Sequence, residues 1–169
     1  MQKYRKQQLT ARFIWTLFGS KWFSFPYLWR TRTWAYRKFF NIGTNPIINH
    51  NVALHRSHNL EGTISIGDGV VLGSNVFIDY SGFVEIGDNV SLATGVQIFS
   101  HARSFSRRKH EYQKSVVIHN NVILFANVLV MPGVEIGENT IVASGAVVFK
   151  SLPANVYAVG NPAKIISKI

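Results

Sequence analysis

The chain has 169 residues, of which 47% are hydrophobic and 15% are charged, a composition that suits one folded domain and excludes intrinsic disorder. It contains no cysteine, which excludes disulfides, thiolate zinc sites and cysteine nucleophiles and fits a reducing compartment. No apolar stretch leads to a small-residue cleavage site, so we expect no secretory signal and a cytoplasmic protein, either free or peripheral on the membrane.

The net charge of +10 is concentrated at the N-terminus. Residues 1–45 hold nine basic residues and no acidic one, whereas the rest of the chain holds nine basic and eight acidic residues. Such an asymmetry indicates that the N-terminal segment meets a polyanion or an anionic membrane surface. We expect no nucleic-acid partner, because the basic residues form no recognisable reader motif.

Residues 1–41 form an aromatic, basic segment that we predict to be short-helical or irregular. Its apolar run, residues 13–29, contains Gly19, Lys21 and Pro26 and is shorter than the ~20 residues that a spanning helix needs. Aromatic residues interleaved with Lys and Arg favour peripheral contact with a membrane interface. Two alternatives remain open: the aromatic residues cover the end of the following domain or pack between subunits, or the run spans a membrane.

Residues 42–169 carry an internal repeat of six residues. An apolar residue returns at every sixth position and Val usually follows four residues later, as in Ile66 with Val70 and Ile86 with Val90. A helix repeats near 3.6 residues and a strand near 2, so the period indicates short strands and tight turns wound into a three-faced, all-β solenoid. The predicted inward positions are Leu60, Ile66, Leu72, Ile78, Ile86, Leu92, Ile98, Ile118, Leu124, Val130, Ile136, Val142 and Val148.

The repeat is interrupted in several places. Ile42 and Ile48 form the first rungs, a break follows at 55–58, and about two residues are inserted near 79–82. Residues 100–115 are polar and carry no inward position, so we predict a loop ejected from the coil, where function is usually found. The hexads are expected to stop at the C-terminal tail, residues 151–169, where prolines force turns.

The hexads, the histidine of the ejected loop, the Met131–Val134 rung and the Val159–Lys164 ending together resemble the left-handed parallel β-helix (hexapeptide-repeat) acyltransferases. The likeness is greatest to the sugar O-acetyltransferases of the maltose and galactoside types and of capsule and O-antigen synthesis. It implies a homotrimer with clefts between neighbouring solenoids. Acetyl-CoA, or another short acyl-CoA, would be the donor and a sugar hydroxyl the acceptor, with no metal.

The resemblance also implies roles for particular residues. His101 would be the general base, a task that suits an imidazole, and Glu111 would orient it. Asp79 and Tyr80 would face the acceptor; Asp79 could bind the sugar or could orient His101 instead. A backbone amide near Ala126 would stabilise the oxyanion.

Further positions would contact acyl-CoA, and Lys150 and Lys164 would meet its phosphates. The chain departs from the usual rung by carrying Ile123 and Phe125 in place of Trp and Gly. The positions implied to bind acyl-CoA are Ala126, Ser144, Phe149, Lys150 and Lys164.

Two other functions belong to different classes of protein. His50 and His55 have the spacing of two zinc ligands in the γ-class carbonic anhydrases, but no third His lies at a matching offset, so a metal site is not predicted. A non-catalytic solenoid scaffold at the membrane remains the alternative, because fold alone does not define function. If the N-terminal segment binds membrane, the acceptor could be lipid-linked, as in surface polysaccharide biosynthesis.

Overall fold

The computed structural model describes residues 28–57, 60–102 and 112–169. Almost all of their secondary structure consists of short parallel strands wound into a β-solenoid of about five turns, as the predicted parallel β-helix requires. Three flat faces, here called A, B and C in the order in which each coil visits them, surround one apolar core.

The strands of the three faces stack in register. Face A consists of β1 (Asn41–Ile42), β4 (Thr63–Ile66), β7 (Phe83–Ile86), β12 (Val116–Ile118) and β15 (Glu135–Ile136). Face B consists of β2 (Ile47–Ile48), β5 (Val71–Leu72), β8 (Ser91–Leu92), β13 (Ile123–Leu124), β16 (Ile141–Val142), β18 (Val156–Val159) and β19 (Lys164–Lys168). Face C consists of β3 (Ala53–His55), β6 (Phe77–Asp79), β9 (Gln97–Phe99), β14 (Leu129–Val130) and β17 (Val147–Val148).

The core consists of columns of identical or similar side chains, one from each coil. The predicted inward positions from Ile66 to Val148 are confirmed, since every one of them is buried. Leu60 is a wrong prediction: it is half-buried and outside any strand. Leu54 already fills the third inward position of the first coil, so the chain re-enters the core at Ile64 and Ile66.

All the irregularity of the coil falls at one corner, the connection from face C to face A. This connection runs from Leu54 to Ile66 in the first coil, from Ile78 to Ile86 in the second and from Ile98 to Ile118 in the third, compared with Val130 to Ile136 in the fourth. The other two corners keep the six-residue spacing in every coil. Extra residues can therefore leave the solenoid at this corner without shifting any stacked strand.

At those two regular corners, turn residues adopt the left-handed backbone conformation. Among the residues that the structure describes, every non-glycine residue with a positive φ is an asparagine, the residue other than glycine that best tolerates this region. On the corner from A to B the side chains of Asn121, Asn139 and Asn155 form a hydrogen-bonded ladder.

The C-terminal tail continues the coil further than predicted. Leu152 bridges Ile136 in parallel, and β18 pairs with β16 as the last rung of face B. The chain then reverses, and β19 pairs with β18 in antiparallel fashion. The prediction that the hexads end at residue 151 is wrong, because Val156 and Ala158 still supply buried inward side chains.

One helix, α1 (Leu28–Phe39), covers the first coil. Arg32, Ala35 and Tyr36 lie on its inner face and are buried. Arg32 donates to the carbonyl of Ile48 at 3.2 Å, and the Tyr36 hydroxyl donates to the carbonyl of Val52. Burial lowers the pKa of Arg32 and raises the pKa of Tyr36. The helix thus caps the open end of the solenoid, which is one of the alternatives left open for the N-terminal segment.

The rest of that segment, residues 1–27, including most of the aromatic run, lies outside the described residues. In the part of the chain that is described, no helix is long and apolar enough to cross a membrane.

Truncation of a core column should destabilise the fold strongly. Leu92 is fully buried in the middle coil, so Leu92→Ala should lower the free energy of unfolding by about 2–5 kcal/mol. Phe83→Ala is the matched control, because Phe83 is 56% exposed on face A. Chemical denaturation followed by circular dichroism measures both; equal effects would contradict the core assignment.

Candidate active site

A histidine–carboxylate pair lies at the irregular corner. Asp79 ends β6, and its side chain is only 1% exposed. His101 belongs to β10 (His101–Ala102), which pairs in antiparallel fashion with β11 (Tyr112–Gln113) to form an arm that projects from the coil. The His101 Nδ1 atom contacts Asp79 Oδ2, and the imidazole is 21% exposed. A buried carboxylate therefore holds a ring that solvent can reach.

The second carboxylate oxygen of Asp79 is also occupied. Asp79 Oδ1 accepts hydrogen bonds from the Ser81 backbone N–H at 3.1 Å and from the Ser81 hydroxyl. The Ser81 hydroxyl in turn accepts from the Ser57 N–H at 2.8 Å. The carboxylate is thus fixed from the side away from His101, so its orientation does not depend on the imidazole.

The base of the arm is fixed to the same corner. The buried Ser100 hydroxyl donates to the Asp79 carbonyl at 2.6 Å and accepts from the Gly82 N–H at 2.8 Å. Gly82 has no room for a side chain, since a Cβ there would lie 2.6 Å from the Ser100 carbonyl oxygen. The Gln113 side-chain amide donates to the Ser81 carbonyl. Both strands of the arm are therefore anchored beside the pair.

This geometry determines where the imidazole carries its proton. An ionised carboxylate can only accept, so a neutral His101 donates from Nδ1 to Asp79 and Nε2 is the nitrogen that keeps its lone pair. The Ser57 hydroxyl lies 3.4 Å from that Nε2. A solvent-accessible imidazole with an unprotonated Nε2, oriented by a carboxylate, can take a proton from a nearby hydroxyl or amine.

The two predicted acceptor residues have different surroundings. Asp79 contacts His101, so its geometry favours the orienting role over a direct contact with a sugar. Tyr80 packs partly buried against the core, with its ring 6.1 Å from that of Phe40 and 5.8 Å from the Arg56 guanidinium carbon.

The ejected loop is shorter than predicted. Ser100 is fully buried in the coil, so the loop leaves at His101. Its middle, residues 103–111, lies outside the described residues, and Glu111, the predicted orienting residue, lies there.

The residues predicted to bind acyl-CoA divide between two edges of face C. Ala126 and Ser144 lie at the corner from B to C, whereas Phe149 and Lys150 follow β17 at the corner from C to A, the edge that holds His101. Phe149 is 54% exposed and Lys150 is exposed. Lys164 is exposed at the start of β19. Within one chain, face C separates Ala126 and Ser144 from His101.

Four residues of the site were missed in the sequence: Ser57, Ser81, Ser100 and Gln113. Ser81 had a signal, because Asp followed two residues later by Ser is a turn in which the carboxylate accepts from the backbone. Ser57 and Gln113 had none, since they meet Ser81 only through the stacking of coils and the return of the arm.

The two histidines considered for zinc lie apart. The His50 ring accepts or donates a hydrogen bond at 3.1 Å with the Ser74 hydroxyl, and the His55 ring stacks on Phe77 at 6.0 Å. Across the described ranges no group of three His, Cys, Asp or Glu side chains could hold a metal ion.

Two family models match parts of the chain. Residues 63–100 match the hexapeptide repeat of succinyl-transferase, and residues 115–150 match the bacterial transferase hexapeptide of six repeats. The two matched ranges lie on either side of the arm that carries His101. The chain therefore contains hexapeptide repeats, as predicted.

The match to relatives by sequence covers a short stretch of this chain. A provisionally named acetyltransferase of Saccharomyces cerevisiae is 52% identical over 40 residues, which are 24% of this chain and 20% of that protein. The match thus spans about a fifth of the relative's length.

Solved structures are similar over nearly the whole chain. A maltose O-acetyltransferase from Clostridium difficile is 25% identical with a TM-score of 0.75, covering 100% of this chain and 89% of that chain. A hexapeptide-repeat acetyltransferase of Vibrio cholerae, complexed with acetyl-CoA, is 22% identical with a TM-score of 0.84, covering 97% and 87%. The resemblance drawn from the sequence is confirmed: this chain has the solenoid fold of the hexapeptide-repeat acetyltransferases.

Replacement of Asp79 by Asn should move the imidazole proton. The Ser81 N–H must still donate to the oxygen of residue 79, so the Asn amide NH₂ would face His101 and Nδ1 would have to accept. We expect the proton on Nδ1 in the wild type and on Nε2 in Asp79→Asn. Long-range ¹H–¹⁵N spectra of the imidazole at neutral pH measure this, and an unchanged tautomer would contradict the network.

Proposed function

We propose that this protein is an acyl-CoA-dependent O-acyltransferase that moves an acetyl, or another short acyl group, to a sugar hydroxyl. The observation that carries the proposal is the His101–Asp79 pair at the base of the arm, on a fold shared with acetyltransferases. A carboxylate-oriented imidazole is suited to general base catalysis at neutral pH.

In the proposed reaction His101 Nε2 takes the proton of the acceptor hydroxyl as that oxygen attacks the thioester carbonyl. The tetrahedral intermediate carries an oxyanion, which a backbone N–H at the turn of Ala126 would stabilise. Its collapse breaks the carbon–sulfur bond, and the CoA thiolate takes the proton back from the imidazolium. Asp79 stabilises the imidazolium while it exists, without itself gaining a proton.

The donor would lie along face C. Lys150 and Lys164 are exposed and cationic, so they suit the phosphates of CoA, and the exposed ring of Phe149 offers an apolar surface beside them. The structurally similar Vibrio cholerae protein is complexed with acetyl-CoA, which supports this donor. The hexapeptide-repeat acyltransferases that this chain resembles carry Trp and Gly at the positions of Ile123 and Phe125. Phe125 is 45% exposed.

We also propose that the protein is a homotrimer. Face A is largely polar on its outside, with Ser65, Glu85 and Glu135 exposed, although the Phe83 ring is exposed there as well. The outer surfaces of faces B and C are apolar instead, with Ile47, Val71, Ile123 and Ile141 on face B and Phe77, Phe99, Leu129 and Val147 on face C. Two different apolar faces on one chain suit a closed ring, in which face B of one copy packs on face C of the next.

Such a ring would also complete the site. The edge of face C that holds His101 would lie beside face B of the next copy, so the cleft at the base would be lined by two chains. The acceptor is proposed to be a saccharide, lipid-linked where the protein meets a membrane, as in surface polysaccharide biosynthesis. The maltose O-acetyltransferase likeness supports the sugar class.

Loss of the base should abolish transfer but not donor binding. His101→Ala should lower kcat about 10²–10⁴-fold, because only the proton transfer is removed. His119→Ala is the matched control, since that histidine pairs with Glu135 on exposed face A. Release of CoA from acetyl-CoA, detected as free thiol, would be measured across sugars, nucleotide sugars and amino sugars.

The same panel tests the alternative function. Release that requires an amine rather than a hydroxyl would overturn O-transfer while keeping His101 as base. If the wild type neither releases nor binds CoA, the acyltransferase proposal fails and a scaffold is favoured.

A charge on an apolar face should break the ring. Ile141 is half-buried on face B, so Ile141→Glu should convert an assembly of three 19.0 kDa chains into single chains. Val117→Glu provides the control, because Val117 is equally half-buried but lies on polar face A. Sedimentation velocity measures both, and a wild type that sediments as a monomer would contradict the trimer.

A further inference from the structure

The outer face of α1 is the feature that the proposed chemistry does not use. Because Arg32, Ala35 and Tyr36 face the core, the helix period places Arg30, Trp34, Arg37 and Lys38 on the opposite side. All four are exposed, and Trp34 is 59% exposed. We call these four residues the outer face of α1.

This face combines an aromatic ring with three cations. The Lys38 ammonium lies 5.0 Å from the centre of the Trp34 ring, and residues 1–45 contain no acidic residue. The pKa of Asp68, an acidic residue of the solenoid, is lowered mainly by hydrogen bonds from Thr44 and also by the charge of Arg37. Asp68 therefore offsets part of the positive potential at Arg37.

The contacts of α1 with the solenoid fix its orientation, so this face stays exposed. Besides the hydrogen bonds of Arg32 and Tyr36 to the first coil, the Phe40 ring lies 6.1 Å from both Tyr36 and Tyr80. Rotation of α1 would break these hydrogen bonds and expose the buried Tyr36, so Trp34 stays outside.

We propose that the outer face of α1 docks on an anionic lipid surface. Trp prefers the membrane interface, where its ring is partly desolvated and its N–H remains hydrated. Arg30, Arg37 and Lys38 would meet the lipid phosphates, and each basic residue near such a surface contributes about fivefold in affinity. The four residues lie along one side of a helix that spans no bilayer, which is the arrangement of a peripheral contact.

Docking in this way would set the distance from the membrane to the candidate site. Phe40 follows α1 directly and contacts Tyr80, the neighbour of Asp79, and His101 lies on the third coil. At about 4.8 Å per coil, His101 would stand roughly 10 Å above the helix. If the protein forms the proposed trimer with parallel solenoid axes, the three helices would lie at one end and bind together.

The test is vesicle flotation with the full chain. Vesicles of phosphatidylcholine alone and of phosphatidylcholine with 30% phosphatidylserine are compared for the wild type and for Arg30→Gln/Arg37→Gln/Lys38→Gln. We expect binding to the anionic vesicles only, about 100-fold weaker in the triple variant and weaker with added salt. The charge-matched control, Lys150→Gln/Lys164→Gln/Lys168→Gln, removes three exposed charges far from α1 and should change binding by no more than a few-fold.

A second measurement locates the contact. With Trp15, Trp22 and Trp29 changed to Phe, Trp34 is the sole tryptophan, and brominated acyl chains in the anionic vesicles should quench its fluorescence. Equal binding of the triple variant and the wild type would assign any binding to residues 1–27 and overturn the proposal. Absence of Trp34 quenching, equal losses in both triple variants, or binding to an RNA oligomer but not to vesicles would also overturn it. None of these readouts depends on acyl transfer.

Discussion

The stacking register of the coils is the constraint on which the rest of the structure depends. Each inward side chain lies directly over the equivalent side chain of the coil below, so Ile66, Ile86, Ile118 and Ile136 form one continuous column. A shift by a single residue would turn an entire rung inside out. Two of the three corners therefore keep the six-residue spacing through every coil, with asparagine or glycine taking the left-handed turns.

The candidate site exists because the third corner is free of that constraint. Residues inserted between faces C and A do not move any stacked strand, so the chain can leave the coil there and return. The arm with His101 leaves at this corner, directly above the turn of Asp79 and Ser81. The rigid ladder supplies the carboxylate and its serine, and the irregular arm supplies the imidazole. A stiff support beneath a projecting residue is what general base catalysis needs, because the geometry is set before the substrate arrives.

The same ladder separates the surfaces of the molecule. Along a rung, outward residues are independent of the core, so composition can differ from face to face: polar on A, apolar on B and C. At the end of the stack, the first coil would expose its core to solvent if nothing covered it. Helix α1 covers it with Ala35 and Tyr36, which leaves a cationic and aromatic face pointing outwards. Lipid contact is thus proposed for a surface separate from those of acyl transfer and self-association.

The parts of the structure that can be predicted from the sequence are those whose contacts repeat along the chain. The sequence by itself determined the solenoid, its inward positions from Ile66 to Val148 and the corner from which a loop departs, because a six-residue period leaves no other regular structure. It also singled out His101 and Asp79 through a family likeness, but left two roles open for Asp79. It misplaced Leu60, because six residues after Leu54 the chain is still crossing the corner from C to A. It misplaced the end of the hexads, because Leu152 continues the core only four residues after Val148. Only the tertiary structure decided that Ser57 and Gln113 meet Ser81 beside the carboxylate, and that α1 turns Arg32 inwards and Trp34 outwards. Those contacts join residues from different coils or from a helix and a coil, and their partners are set by three-dimensional stacking rather than by spacing along the chain.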